Sequence, residues 1–410
     1  MTGSRRFPTR LPLLCAGALA ATACGGADSG REPAAGSEAG VATFAAPSGP
    51  FPVGVTDVRW TDPSRPESFT RDPSDRRSIA ARIWYPAAEG QAGTVAYLSD
   101  RDEYEGDPDL TGVADLQAPG FLDATPSAQG PFPLLLFNHG GGIHRFSGTF
   151  TTGEMASHGY VVVSIGHNGF NRSRRLPDGR SVVPDTLTFP EPTGTLLEDA
   201  YASWDYLGEV HFPEWVSDAL FALDRILEMN QGGLLGGTMD PERVGAYGWS
   251  FGGATAIELA SVDPRIKAAV DHDGQLFGEA PGRGTVRPFM LFHGDGQMPP
   301  PGETPEEQAA NQAAFEELMG VVASTDAALK EASSGPWYDV TIQGANHGNF
   351  SDLTLLIPGA SPGIDAARAH RIINDLTLAF FDRHLKGQAA PLLDDPALAF
   401  PEVGFERSSP

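Results

Sequence analysis

Gly248-Trp249-Ser250-Phe251-Gly252-Gly253 sets a serine at the centre of a G-x-S-x-G pattern. The apolar stretch Arg243–Gly248 precedes it, and Ala254-Thr255-Ala256-Ile257-Glu258-Leu259-Ala260 follows with helix-forming residues. A nucleophilic serine needs this strand–turn–helix setting. The sharp turn lifts the hydroxyl clear of the backbone, and glycines two residues before and after leave room for close approach. The helix then aims its N-terminus where negative charge develops during attack on a carbonyl. A second stretch fits the same chemistry. Asn138-His139-Gly140-Gly141-Gly142 follows the apolar run Leu134–Phe137 and has the H-G-G-G form of a loop that offers an amide to an oxyanion. The Gly141 and Phe251 amides are therefore the expected oxyanion donors. His139 is expected to brace the loop rather than to act as a base.

The serine needs a base, and folds with this turn carry serine, acid and histidine in that chain order. Five histidines lie downstream: His272, His293, His347, His370 and His384. His347 sits in Gly344-Ala345-Asn346-His347-Gly348-Asn349-Phe350-Ser351-Asp352, directly after the last predicted strand, Tyr338–Ile342. A loop there can bring an imidazole beside the serine, and an ordinary imidazole can take a proton and return it near neutral pH. His347 is the expected base. His370 and His384 fall on a predicted helix, and His293 closes a strand as an interior residue. For the acid, Asp271 and Asp273 follow one strand and Asp295 follows the next. Either strand end can hold a carboxylate against the imidazole. Spacing favours Asp273, with Asp295 and then Asp271 as alternatives.

These residues need a rigid frame, and the pattern predicts one. Strands are predicted at Ser78–Tyr85, Phe132–Asn138, Tyr160–Ile165, Arg243–Gly248, Ile266–Val270, Pro288–His293 and Tyr338–Ile342. Helices are predicted at Phe150–Gly159, Trp215–Met229, Phe251–Ser261 and Ala366–Leu385. Short continuous apolar runs mark strands buried on both faces. Their alternation with helices predicts an α/β fold with a mainly parallel sheet. Residues 51–390 form the expected catalytic domain, 391–410 a C-terminal tail, and 168–212 a possible lid insertion.

Composition bounds the partners. The chain has 410 residues, with 53 Asp+Glu against 28 Lys+Arg, for a formal net charge of -25. No basic stripe exists to displace counterions from phosphates, so a nucleic-acid partner is excluded. At the N-terminus, Arg5, Arg6 and Arg10 precede an apolar run, Leu11–Ala23, that is too short for a bilayer needing about 20 residues. Residues 1–23 read as a signal peptide and 24–50 as a flexible Gly/Ala/Ser/Pro tether. Cys24 follows Ala21-Thr22-Ala23 as in a lipobox, so lipidation and membrane association through Cys24 are expected, with plain secretion as the alternative. Both cysteines, Cys15 and Cys24, lie in this region, so the body has none to form a disulfide.

Four stretches together resemble the secreted platelet-activating-factor acetylhydrolase (group VII phospholipase A2) family. They are Phe132–Gly140, Ala156–Val163, Gly248–Thr255 and His347–Asp352. The resemblance implies an α/β-hydrolase fold, a Ser–His–Asp triad of Ser250, His347 and Asp273, and no metal requirement; no cofactor is expected. It also implies hydrolysis of short or oxidised acyl esters, with a phospholipid or another acyl ester as substrate. Trp249 is similar to the elbow of bacterial polyester hydrolases, whose acid follows the later strand and corresponds to Asp295. A polyester or dienelactone-hydrolase-like esterase, or an inactive hydrolase fold used for binding, are the alternatives.

Overall fold

Continuous apolar runs form the middle of the sheet, because a strand covered by helices on both faces has no polar side. The computed structural model describes residues 43–91, 93–104, 113, 115–169, 171, 173, 175–182, 194–357 and 359–409. The expected leader, Cys24 and most of the expected tether lie outside them.

In chain order, β1 (Val53–Pro66) and β2 (Arg76–Pro86) form an antiparallel pair, and β3 (Thr94–Ala96), β4 (Gln117–Pro119) and β5 (Phe121–Leu122) are short. Next come β6 (Phe132–Asn138), α1 (Thr149–Ser157), β7 (Val161–Gly166), α2 (Leu196–Tyr206) and α3 (Phe212–Met229). The nucleophile segment is β8 (Met239–Trp249) running into α4 (Phe251–Val262). After it lie β9 (Ile266–His272), α5 (Ala280–Arg283), β10 (Phe289–Gly294), α6 (Pro305–Ala332) and β11 (Trp337–Ile342). The chain closes with α7 (Leu353–Leu356), α8 (Ala366–Leu385) and β12 (Val403–Arg407).

The main sheet among the described residues has ten strands in the order β12-β11-β10-β9-β8-β6-β7-β2-β1-β5. From β11 to β7 every neighbouring pair is parallel, and the antiparallel strands sit outside that block. Every residue of β6 is buried, as is every residue of β7. Packing is two-sided. Trp215, Leu223 and Ile226 of α3, with Ile257 and Leu259 of α4, cover one face. Ile372, Leu376, Phe380 and Phe381 of α8, with Met155 of α1, cover the other. This is an α/β-hydrolase fold.

The strand order reverses at β6. The chain moves from β6 out to β7 and then returns to β8 on the other side, with Asn138 beside Gly248. A crevice opens at the carboxyl ends of strands where the order reverses in this way, and ligands bind there. Both glycine-rich turns lie at that point.

Several elements exceed the sequence-based expectation. Val403–Arg407, in the stretch expected as a tail, pairs antiparallel with β11. The described end of the expected tether is docked: the Gly49 amide donates to Ser157 Oγ at 3.0 Å, and the Phe44 and Tyr97 rings lie 5.3 Å apart. Within the possible lid, α2 begins in a Thr195/Glu198 capping box, and its Ala200 packs against Leu318 of α6. Residues 183–193 of that insertion lie outside the described residues.

Candidate active site

Ser250 occupies the turn between β8 and α4 with φ 57° and ψ -124°, a left-handed backbone that L side chains rarely adopt. Hydrogen bonds hold it there. Its amide donates to His272 O at 2.9 Å, and its carbonyl accepts from the Gly253 and Ala254 amides at 2.9 and 3.1 Å. The flanking glycines are steric requirements. A Cβ on Gly248 or Gly252 would strike the Asn138 carbonyl, and one on Gly253 would strike Asp271 Oδ1. Ser250 retains 6% exposure, and Phe251 is the first residue of α4.

The Asn138–Gly142 loop closes against this turn. A Cβ on Gly140 would lie 2.6 Å from the Trp249 ring, so only glycine lets the loop approach. His139 is fully buried; its Nδ1 lies 2.7 Å from Gly140 O, and its Nε2 accepts from the His167 amide at 3.1 Å. That arrangement demands Nδ1–H and a bare Nε2, a neutral ring. Burial and the neighbouring His167 push its pKa well below the ordinary value. The ring braces the loop, as the sequence suggested. Gly141 lies half-buried in the turn that follows.

His347 opens a short 3-10 turn, His347–Phe350, and is 4% exposed. The turn is pinned by its own asparagines. The Asn346 amide donates to Asn349 Oδ1 at 2.8 Å, Asn346 Nδ2 to Ala360 O at 2.7 Å, and Asn349 Nδ2 to Ser361 Oγ at 2.7 Å. Trp249, next to the serine, donates its indole N–H to His347 O at 3.0 Å, and the two rings lie 5.1 Å apart. Sequence reasoning noted Trp249 only as a family mark; its tie to the histidine loop was missed.

Of the three candidate acids, one faces the imidazole. Asp273 Oδ2 lies 2.6 Å from His347 Nδ1. Asp273 itself has φ 58°, with its amide donating to Phe292 O at 2.9 Å, so the residue turns out of the sheet beyond β9. Its carboxylate also accepts from the Gly294 amide at 2.9 Å and from Gln297 Nε2 at 2.9 and 3.2 Å. Asp295 is exposed, and its Oδ1 accepts from the Gly344 amide at 2.5 Å, a turn-bracing role. Asp271 is buried under the serine turn, where Oδ1 accepts from the Gly274 amide at 2.9 Å. Burial, then the carboxylates of Asp326 and Asp273, push Asp271 well above the usual carboxylate range.

The remaining downstream histidines lie elsewhere. His272 is buried with Nε2 2.9 Å from Thr377 Oγ1, and burial pushes it down to about 3. His370 stacks on Phe150 at 3.8 Å, and His384 lies 3.2 Å from the Tyr338 hydroxyl. His293 is not the satisfied interior residue expected: a quarter exposed, it faces Asp326 and Asp339 at 3.7 and 3.5 Å. Gln297 was not found from sequence either, since one glutamine in a Gly-rich loop carries no periodic or motif signal. Among the described residues, no group of three or more His, Cys, Asp or Glu side chains could hold a metal ion.

Comparison with known proteins fits this geometry. The family model for platelet-activating factor acetylhydrolase, isoform II, matches residues 36–173, which include the Asn138–Gly142 loop. The bovine (Bos taurus) platelet-activating factor acetylhydrolase is 23% identical over 382 residues, covering 82% of this chain and 76% of its own. The chain is thus similar to the platelet-activating factor acetylhydrolases over most of its length. A probable 1-alkyl-2-acetylglycerophosphocholine esterase from Arthroderma benhamiae is 24% identical over 293 residues, covering 67% of this chain and 66% of its own. Among solved structures, a ferulic acid esterase from Streptomyces cinnamoneus superposes with a TM-score of 0.66 at 26% identity, covering 89% of this chain and 99% of its own. The chain is a carboxylic-ester hydrolase. No helix among its described residues is long and apolar enough to cross a membrane.

Proposed function

We propose that Ser250, His347 and Asp273 are the catalytic triad and that the enzyme removes short or oxidised acyl chains from phospholipids through an acyl-enzyme. One observation carries the reading: the strained Ser250 turn is tied through its neighbour Trp249, whose indole N–H donates to His347 O at 3.0 Å, to an imidazole whose Nδ1 lies 2.6 Å from a carboxylate. Asp273 fixes the tautomer, leaving Nε2 bare to accept the serine proton. Ser250 Oγ attacks the ester carbonyl, and the Gly141 and Phe251 amides receive the oxyanion. Protonated His347 returns its proton to the departing alcohol, and the C–O bond to the leaving group breaks. Water, deprotonated by the same ring, then cleaves the acyl-enzyme and releases the acid. No step needs a metal or a cofactor. The proposal includes export through residues 1–23, with lipidation at Cys24 holding the enzyme at a membrane.

The relatives named as acetylhydrolases support a phospholipid substrate. The ferulic acid esterase, with its near-complete coverage, favours a second reading, an ester of an aromatic acid. Purified enzyme and its Ser250→Ala variant should be assayed on a 2-acetyl phosphocholine lipid, tributyrin, methyl ferulate and polyester film. The highest kcat/KM is expected on the acetyl lipid, and none on any ester for the variant. Preference for methyl ferulate would replace the substrate assignment, and activity in Ser250→Ala would overturn the nucleophile.

A further inference from the structure

Asp273 sits among other acids. Behind it lies a cavity of about 270 Å³ lined by Gln297, His293, Asp326, Lys330 and Asp339, with neither Ser250 nor His347 in its wall. Asp326 is 4% exposed, and its Oδ1 has no hydrogen-bond partner. Asp271 is buried on the side of the serine turn. The basic side chains nearby face other acids: Lys330 Nζ lies 2.5 Å from Asp339 Oδ2, and His293 faces Asp326 and Asp339. Among the described residues, the groups other than His347 that donate to the Asp273 carboxylate are the Gly294 amide and the Gln297 side chain.

Gln297 is oriented for that task alone. Both Asp273 oxygens are acceptors, so the glutamine must turn its amino group toward them. Its carbonyl oxygen is left buried and without a partner. The Gly294 amide anchors Oδ1 only. Gln297 Nε2 reaches both oxygens and supplies the protein's second contact to Oδ2, the oxygen that meets His347. Without it the carboxylate can rotate about Cβ–Cγ and leave the imidazole.

We infer that Gln297 is a positioning residue for ester hydrolysis, clamping the Asp273 carboxylate in the orientation that meets His347. This rests on the triad assigned above. Gln297 acts through Asp273 and lines a cavity with neither Ser250 nor His347 in its wall, so it should govern kcat and leave KM unchanged.

The test uses the full chain with p-nitrophenyl acetate. Gln297→Leu should lower kcat roughly tenfold or more, with KM unchanged within about twofold. The acid limb of its kcat profile should also move to lower pH, because a carboxylate that turns away from the ring no longer stabilises the imidazolium. Gln297→Glu keeps the size and removes the donor. Its loss should deepen as pH rises through the ordinary glutamate range, where it confronts Asp273 with a second negative charge. If Gln297→Leu does not fold, the near-isosteric Gln297→Glu carries the test. A structural role alone would lower thermal stability with no pH signature. Wild-type kcat and an unmoved acid limb in these variants, while Ser250→Ala and Asp273→Asn are inactive, would overturn the clamp. Retained activity in either of those two would instead sink the triad.

Discussion

Asp273→Asn, compared with Asp295→Asn, decides between the two strand-end carboxylates. The size of the effect follows from the hydrogen bonds around Asp273. In the wild type, Oδ1 accepts from the Gly294 amide at 2.9 Å and from Gln297 at 3.2 Å, while Oδ2 accepts from Gln297 at 2.9 Å and faces His347 Nδ1 at 2.6 Å. An asparagine must give its oxygen to the fixed Gly294 N–H, since placing its amino group there would oppose two donors. The amino group then points at His347 Nδ1 and stabilises the tautomer with the proton on Nε2. That tautomer cannot accept the serine proton. The expected loss in kcat is roughly ten-thousand-fold, or about 5.5 kcal/mol of transition-state stabilisation. Asp295 is exposed, and an asparagine oxygen can still accept from the Gly344 amide. Asp295→Asn should leave kcat within about twofold, as for ordinary surface changes. Initial rates on p-nitrophenyl acetate from pH 5 to 9 measure both. A large loss in Asp295→Asn with retained activity in Asp273→Asn would refute the reasoning.

Three further outcomes follow from the same contacts. Trp249→Phe removes the indole bond to His347 O at 3.0 Å while keeping an aromatic ring against Gly140, so it should lower stability by about 1 kcal/mol and reduce kcat, read by denaturant melts and rates. Gly248→Ala drives a Cβ into the Gly252 backbone and the Asn138 carbonyl, neither of which is a flexible side-chain end; it should cost roughly 3 kcal/mol or more, seen as a lowered denaturation midpoint. Burial pushes Asp326 up to about 6, so its folded pKa exceeds the unfolded one, and its effect on stability is least unfavourable at low pH and worsens as pH rises through about 4 to 6. Asp326→Asn should therefore be more stable than wild type near pH 7.5, with the advantage gone by about pH 4, as measured by melts across that range.

The parts of the site dictated by sterics were legible in the sequence. Gly248, Gly252 and Gly253 are required by carbonyls and a carboxylate that leave no room for a Cβ, and that requirement appears as a pattern. Residues of β6 and α8 carry their burial in their apolar spacing, and both elements lie where the sequence predicted them. What was not legible has weaker local signals. Helix α6 buries only Ala314, Leu318, Asp326 and Leu329 over 28 residues, so its apolar stripe is too narrow to stand out. Strand β12 is an edge strand of mixed polarity, defined by its pairing with β11 rather than by its own pattern. The choice among Asp271, Asp273 and Asp295 depends on which strand end faces His347, and Asp273 reaches it through a positive φ that no residue preference announces. Gln297 contributes through two hydrogen bonds to a residue distant in the loop path, which only three-dimensional proximity reveals.

The central claim is that position 250 carries a hydroxyl activated by the imidazole at 347. Labelling with a fluorophosphonate, followed by mass mapping of the adduct in wild type and in His347→Ala, tests it most directly. A single phosphonyl group on Ser250, formed at least a hundredfold more slowly in His347→Ala, is the predicted result, on the order of a lost general base. An adduct at another residue, or an unchanged labelling rate in His347→Ala, would contradict it.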